Sequence, residues 1–517
     1  MAKSWSHRKS CRCCNSRRVR AVALLGTVPA RAYSGAELTR KLTSPEPPVP
    51  VALSHCATCE QLQLLDVIKP GGLLPLRSCA PVSGQQHTFF REIARDVVRS
   101  GDLAKGSLVV DIGCGNGALA LGLRELGMKV IGIDPSEASA LLFKQAGLPH
   151  YAEEFTGSLA ATILKDHGPA AAITATFVLG CIDNLHAIAS GVRHLLARHG
   201  LFHIIEPSWV HGNGQSLIGT IHHDRVSLFT TTATAAFFPS VLLELVEVRT
   251  IEQPASMWHG IVQHHGGLRP MDASVAASIQ QEKNRGLLAP SALSAMESEL
   301  QQGISALKKQ VNAYADRNQK IAIAGAVPAA LSLIHACGWS NDIVNAVIDP
   351  EGRTSLPQDI GFPLITWTEA GKRGIRAVVT AGHPLFDGWS PDPLTVYRQG
   401  GGMVIRPLLF NRRILRDLQA GLQHVAAADL PDQPAILNHR QATERILEEN
   451  IRGLEDVVVR IHLLDVPGHV VGDRPSRVLG EKRLVDENAQ AILLRKHPDQ
   501  LPVLVHHRSA GHPVFQQ

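Results

Sequence analysis

In VVDIGCGNG, residues 109–117, Asp111 closes an apolar run and Gly113, Gly115 and Gly117 alternate behind it. Asp134 closes the next apolar run, KVIGID, at residues 129–134. Glycines at this spacing let a backbone turn pass close to a ligand, and an acid ending the second run can accept hydrogen bonds from both hydroxyls of a ribose. The chemistry is that of an adenosine site, with Asn116 a further candidate contact inside the turn. A nucleoside triphosphate loop would continue with lysine and a hydroxyl residue, but Gly117 is followed by Ala118 and Leu119. A dinucleotide site would seat a pyrophosphate on the helix N-terminus, and a carboxylate at position 111 would repel it. The same carboxylate suits a cationic ligand.

A second kind of chemistry lies nearer the N-terminus. Five of the nine cysteines fall in two clusters, CRCC with Cys11, Cys13 and Cys14, and CATC with Cys56 and Cys59. Two C-x-x-C pairs, Cys11/Cys14 and Cys56/Cys59, supply the four thiolates of a closed structural zinc site. Cys13 leaves a pairing through Cys11 and Cys13 open. Cys79, Cys114, Cys181 and Cys337 are scattered and read as small apolar residues.

The elements that position these groups follow from periodicity. Residues 108–110 read as a buried strand, 118–127 as an amphipathic helix and 129–134 as the next strand, a β-turn-α-β unit. Ser291 to Asn318 carries apolar residues at helical spacing, as does Gln441 to Ile461. A chain of 517 residues implies two or three domains. No apolar run approaches the ~18 residues of a membrane span, and a net charge of +5 is too mild to argue for nucleic acid. No secretory signal is visible, so a cytoplasmic location is expected, where paired cysteines point to metal before disulfide. The Arg- and Ser-rich opening, free of acids before Glu37, also fits a transit peptide. The histidines of VPGHVVGD and LVHHRSAGHP lack a compact ligand spacing and read as surface loops.

DIGCGNG with Asp134 closely resembles the motif of class I S-adenosylmethionine methyltransferases. Taken in order, C-R-x-C-N-S, LGTVPA (25–30), C-x-x-C-x-x-L-Q-L (56–64) and that motif resemble the C-methyltransferases of nucleotide-linked deoxy-ketohexoses. Residues 173–209, ending at Glu206-Pro207 and Trp209, QHHGGLRP (263–270), KIAIAGAVPA onward (320–350), IGFPLITWTE (360–369) and VYRQGGGMVIRPL (396–408) continue the likeness. The resemblance implies an α/β fold: a small zinc module over 8–80, a Rossmann-like methyltransferase core over 81–210, and a C-terminal domain over 211–408 holding a second Rossmann-like unit. Residues 409–517 fall outside it as an extension of unassigned role.

Methylating a carbon beside a ketone requires a base to form the enolate and a donor or cation to stabilise its oxygen. In the family this work falls to a Tyr-His-Glu-His segment; here GTIHHDRVSLF (219–229) puts His222, His223, Asp224 and Arg225 in its place. Arginine stays protonated and cannot act as the base, though it can stabilise an enolate. His223 backed by Asp224 is the first choice of base and His222 the second. Other positions also depart from the family: Cys181 replaces a histidine, Ala329 a lysine, and residues 73–90 contain no tyrosine. The expected activity is methyl transfer from S-adenosylmethionine to a keto carbon of a nucleotide sugar or related compound. A cofactor-binding protein without turnover, and methylation of oxygen or nitrogen, stand as alternatives.

Overall fold

The structure, a computed structural model, describes residues 4–33, 47–69, 73, 82, 84–208, 221–251, 257–286, 288–349, 360–381 and 403–405, together with strands at 461–463, 489–496 and 503–508. Both cysteine clusters lie on short antiparallel strands: β1 (Trp5–His7), β2 (Val19–Val28), β3 (Val49–Cys56), β4 (Leu62–Leu64) and β5 (Asp66–Ile68). β1 pairs with β5, while β2, β3 and β4 form one sheet. The opening residues that also fit a transit peptide are thus built into this module from Ser4 onward.

Next comes the core, which opens on helix α1 (Gly84–Ser100). Its strands and helices alternate as β6 (Leu108–Ile112), α2 (Ala118–Glu125), β7 (Lys129–Ile133), α3 (Glu137–Ala146), β8 (His150–Tyr151), α4 (Gly157–His167), β9 (Ala170–Thr176), α5 (Leu185–Leu195) and β10 (Leu196–Pro207). Beyond these lie β11 (Ser227–Leu228), α6 (Thr231–Phe237), β12 (Leu243–Ile251) and β13 (Met257–His264). The sheet order is β12-β13-β10-β9-β6-β7-β8, with β6 to β10 parallel to their neighbours and β13 antiparallel between β10 and β12. This is the class I methyltransferase arrangement, with the strand-turn-helix-strand unit at its centre. Both faces of β6 are covered, so Val109, Val110 and Ile112 are buried. Asp111 is the one carboxylate among them.

Two boundaries differ from the sequence reading. The core sheet takes its last strands from residues 243–264, beyond the 81–210 range, because the antiparallel β13 must slot between β10 and β12 to complete it. The cysteine module likewise borrows β11, which pairs with β4 through Ser227 and Gln63. A chain cut at residue 80 or 210 would separate paired strands.

A third layer follows: α7 (Ala273–Arg285), α8 (Pro290–Ala315), β14 (Lys320–Gly325), α9 (Val327–Cys337), β15 (Ala346–Ile348), β16 (Leu364–Ile365), α10 (Trp367–Lys372), β17 (Ile375–Ala381) and β18 (Met403–Ile405). The five strands are all parallel in the order β16-β15-β14-β17-β18, a second Rossmann-like sheet. Gly325 is required there, since at φ 148° a side-chain carbon would stand 1.8 Å from the Ala381 carbonyl oxygen. Helix α8 matches the expectation for Ser291 to Asn318. Its stripe Leu293, Met296, Leu300, Ile304, Leu307 and Val311 is buried at helical spacing, in a core shared with β2, β3 and α9. Ala329 is buried in the same core.

Residues 1–409 form one compact unit and 410–517 another. In the second, β19 (Ile461–Leu463) runs parallel to β20 (Ala489–Lys496), which pairs antiparallel with β21 (Val503–Arg508). The helix expected over 441–461 lies outside the described residues except for Ile461, which opens β19. Of the tail histidines, His506 and His507 lie on β21, and the VPGHVVGD and AGHP segments lie outside the described residues, as do positions 74–81 and 83 of the tyrosine-free stretch 73–90.

Candidate active site and four-cysteine centre

The glycine turn runs from the carboxyl end of β6 into α2. Gly113, Gly115 and Gly117 all take left-handed conformations, with φ of 66°, 50° and 80°. They differ in what surrounds them. A side-chain carbon at Gly113 would meet Val178 at 2.2 Å and one at Gly117 would meet Phe143 at 2.9 Å, whereas one at Gly115 would enter open space. The outer glycines pack against protein, and the middle one faces open space.

Asp134 follows β7 and reaches back to this turn. Its carboxylate accepts from the Gly115 amide at 3.1 Å and the Ser136 amide at 2.9 Å. Ser136 then caps α3 by accepting from the Ser139 amide. Each oxygen of Asp134 keeps acceptor capacity beyond these bonds, and the group is half-buried. Asn116 accepts from the Ala118 amide at the start of α2 and donates to Gln86 of α1 at 3.1 Å, so its side chain shapes the turn. Asp111 is 2% exposed and accepts from the Thr174 hydroxyl at 2.7 Å. Burial pushes its carboxyl up to about 7, against the pull of Thr174 and helped by the nearby charge of Asp134.

Beside the turn, the chain leaving β9 makes a tight loop. Phe177 sits at φ 62°, a left-handed conformation uncommon for a bulky residue, and Val178 lies against Gly113. The Gly180 amide donates to Glu206 Oε1 at 3.0 Å, and its carbonyl accepts from the Val226 amide at 2.7 Å. Cys181 is half-buried, its thiol donating to the Phe177 carbonyl at 3.6 Å. Glu206, near the end of β10, also pairs with Arg225 Nη1 at 2.5 Å. Both partners are almost fully buried, 1% and 7% exposed in their side chains. Burial works against the Arg225 charge, but Glu206, with Cys181 and Asp224, more than offsets this and raises its pKa. A side chain at Gly180 would collide with this pair.

The segment His222–Arg225 is a β-turn closed by the Arg225 amide donating to the His222 carbonyl at 2.9 Å. His222 and Arg225 therefore stand opposite one another at its base. His223 and Asp224 occupy the bend. The His223 ring is 0% exposed, and its Nε2 lies 2.9 Å from the Pro50 carbonyl oxygen on β3. Burial pulls its imidazolium down to about 4 despite that bond. The residue ranked first as base on sequence is placed as an anchor between core and cysteine module, because the turn aims it into the protein. His203 lies on β10 as its strand pattern implies, buried with Nδ1 3.1 Å from His259 Nε2.

The two cysteine knuckles repeat one geometry. The Asn15 amide donates to the Cys11 carbonyl and the Glu60 amide to the Cys56 carbonyl, with φ of 57° at Asn15 and 63° at Glu60. The Cys11 and Cys56 amides donate to the Ser16 and Gln61 carbonyls in turn. The four sulfurs of Cys11, Cys14, Cys56 and Cys59 lie within 4.8 Å of one another, with Cys11–Cys59 and Cys14–Cys56 each 3.6 Å apart. A tetrahedral ion with thiolates at about 2.3 Å requires sulfurs roughly 3.8 Å apart, so this donor set fits Zn²⁺. The Cys13 amide and the Gln63 side chain donate to Cys11 Sγ at 3.4 and 3.2 Å. Cys13 donates its thiol to Gln61 Oε1 at 3.4 Å and is not one of the four clustered sulfurs.

Residues 85–248 match the family model described as a methyltransferase domain. Over these residues the chain carries an S-adenosylmethionine-dependent methyltransferase domain. A C-methyltransferase, NovU, from Streptomyces niveus is 27% identical over 311 residues, spanning 58% of this chain and 72% of that protein. Among solved structures, an S-adenosylmethionine-dependent methyltransferase from Clostridium acetobutylicum ATCC 824 aligns at 13% identity and TM-score 0.28, covering 36% of this chain and 93% of that one. The CcbJ methyltransferase from Streptomyces caelestis aligns at 16% identity and TM-score 0.28, covering 36% and 90%. Sequence reasoning named Glu206 only as the end of a strand. Its pairing with Arg225 required the fold, although Gly180 in FVLGCI (177–182), followed by Glu206-Pro207 at the next strand end, was the available signal.

Proposed function

We propose that this methyltransferase transfers its methyl group to carbon, on a nucleotide-linked keto sugar or a related keto compound, through an enolate. The observation that carries the reading is the similarity to a C-methyltransferase over 311 residues, which extends well beyond the 85–248 domain. Asp134 would hold the ribose hydroxyls of S-adenosylmethionine, and Gly113, Gly115 and Gly117 would admit its amino-acid portion beside Asp111 and Asn116. Bound there, the cofactor supplies an electrophilic methyl group.

The remaining work belongs to the chain. His222 is the favoured base, because the turn sets it opposite Arg225 while His223 is sealed against Pro50. Arg225, held charged by Glu206 and Asp224, would stabilise the developing enolate oxygen. Removing a proton at His222 and holding negative charge at Arg225 are complementary tasks, and the pairing of the two residues across the turn supports assigning them together. The four cysteines would hold a structural Zn²⁺. A second reading, cofactor binding without turnover, draws on the full burial of His223 and the commitment of Arg225 to Glu206.

Incubation with isotopically labelled methyl donor and a panel of nucleotide-linked keto sugars, read by mass spectrometry, tests the proposal. Label on a carbon beside a ketone is the expected result. Label on oxygen or nitrogen would overturn the enolate route, and cofactor binding without methylation of any acceptor would favour the second reading.

A further inference from the structure

Arg12 lies inside the first cysteine knuckle, yet none of the roles above uses it. Its side chain is 0% exposed. A guanidinium so placed must find partners, and this one does. Nε donates to Asp183 Oδ1 at 2.9 Å, Nη1 to the Val226 carbonyl at 2.8 Å and to Gln63 Oε1 at 3.2 Å, and Nη2 to the Leu64 carbonyl at 2.7 Å. Its own amide donates to Gln63 Oε1 at 3.0 Å. One side chain thus ties the knuckle to β4, to the segment leading into β11, and to the loop that leaves β9.

That loop matters because of what it touches. Val178 packs on Gly113 of the glycine turn, and Asp183 stands five residues farther on. The middle of the loop is held through Gly180 by Glu206 and the Val226 amide. Its far end is held through Asp183 by Arg12 and by Arg8 Nη1 at 3.0 Å. Just beyond, His186 Nε2 lies 2.8 Å from the Cys13 carbonyl, a second tie to the same knuckle. In open α/β sheets ligands settle at the carboxyl ends of the strands, so the loop forms one wall of the cofactor crevice.

We infer that Arg12 is a positioning residue for methyl transfer: through Asp183 it makes the four-cysteine knuckle hold the Val178–Asp183 loop against the glycine turn. The inference rests on the cofactor site proposed above, and it gives the cysteine centre a task in shaping that site beyond stabilising its own module.

The test uses the full chain with its metal, and two independent readouts. In the first, calorimetric titration with S-adenosylhomocysteine compares the wild type with Asp183→Ala, Arg12→Met and Arg12→Lys. Asp183→Ala leaves the buried Arg12 guanidinium without its carboxylate, so Asp183→Asn, which keeps an oxygen acceptor for Nε, serves as the milder variant wherever Asp183→Ala fails to fold. The expected result is about tenfold weaker binding in Asp183→Ala and Arg12→Met, partial recovery in Arg12→Lys, and no further loss when the Arg12 and Asp183 changes are combined. The second readout needs no cofactor: hydrogen exchange at residues 177–183 should quicken in Asp183→Ala and on chelation of wild-type metal. Variants that melt earlier yet bind with wild-type affinity and exchange at the wild-type rate would reduce Arg12 to a structural residue and overturn the inference. A wild type that binds no S-adenosylhomocysteine would sink the cofactor reading, and the exchange result would then decide the coupling alone.

Discussion

Glu206 and Arg225 form the buried ion pair at the centre of the candidate site, and breaking it from one side should cost more than removing it whole. Glu206→Gln keeps the side chain's shape and can still accept from the Gly180 amide. It then presents its amide group to a buried guanidinium that has lost its hydrogen-bonded carboxylate. Orphaning a buried charge costs about 3–5 kcal/mol, and the near-complete burial of both side chains places this pair in that range. Arg225→Met strands the carboxylate instead, at similar cost. Replacing both leaves no orphaned charge, so the double variant should lose far less than the sum, with a coupling on the order of 3 kcal/mol. Urea unfolding followed by tryptophan fluorescence measures this, since Trp258 is buried in the core. Strictly additive losses, within about 0.5 kcal/mol, would show that the two charges do not depend on each other and would remove the basis for Arg225 as a preorganised cation.

Three further outcomes are expected. Asp134→Ala should weaken S-adenosylmethionine binding by about 1.5–3 kcal/mol, the loss of charged hydrogen bonds to ribose; unchanged calorimetric affinity would contradict the site. Elemental analysis should find close to one zinc per chain, lost together with module stability when Cys56 and Cys59 become Ser, whereas Cys13→Ser should keep the metal. The pH dependence has opposing parts. His223 and His259 have folded pKa values pulled down to about 4, so their stability is full above their unfolded value near 6.5 and is lost as pH falls from there toward 4, about 2 kcal/mol each by pH 5. Asp111, raised to about 7, has the opposite sign and regains about 2 kcal/mol over the same interval. Burial also holds the His203 imidazole well below its ordinary range, so the wild type should lose stability between pH 7 and pH 5, and Asp111→Asn should lose about 2 kcal/mol more; equal losses would show that Asp111 does not titrate there.

The parts of the fold written in local periodicity were legible. The β6–α2–β7 unit, helix α8 and the cysteine knuckles follow from residues close together in the chain, where spacing alone fixes which groups meet. The site's acid-base residues were less legible, because a β-turn reverses the aim of neighbouring side chains. HHDR reads as a His-acid pair in sequence, yet the bend turns His223 toward Pro50 and brings His222 opposite Arg225. The partners of Arg12 and Arg225 were not legible, since Asp183, Glu206 and Gly180 reach them through strand pairings set by sheet order. The same cause moved the domain edges: β11 and β13 belong to sheets begun far earlier in the chain.

This sharing of strands bears on how the site is kept in register. If the cysteine module were a bead on a tether, its metal would affect only its own folding. Here β11 completes the module's sheet two residues after Arg225, and Arg12 fills the space between the two. Any displacement of the module therefore moves the Val226 carbonyl, the Val226 amide that holds Gly180, and the guanidinium paired to Glu206. The turn carrying His222 and Arg225 has no independent footing among the described residues. Its geometry is determined jointly by the methyltransferase sheet and the four-cysteine centre, so the two must be assembled before the site exists.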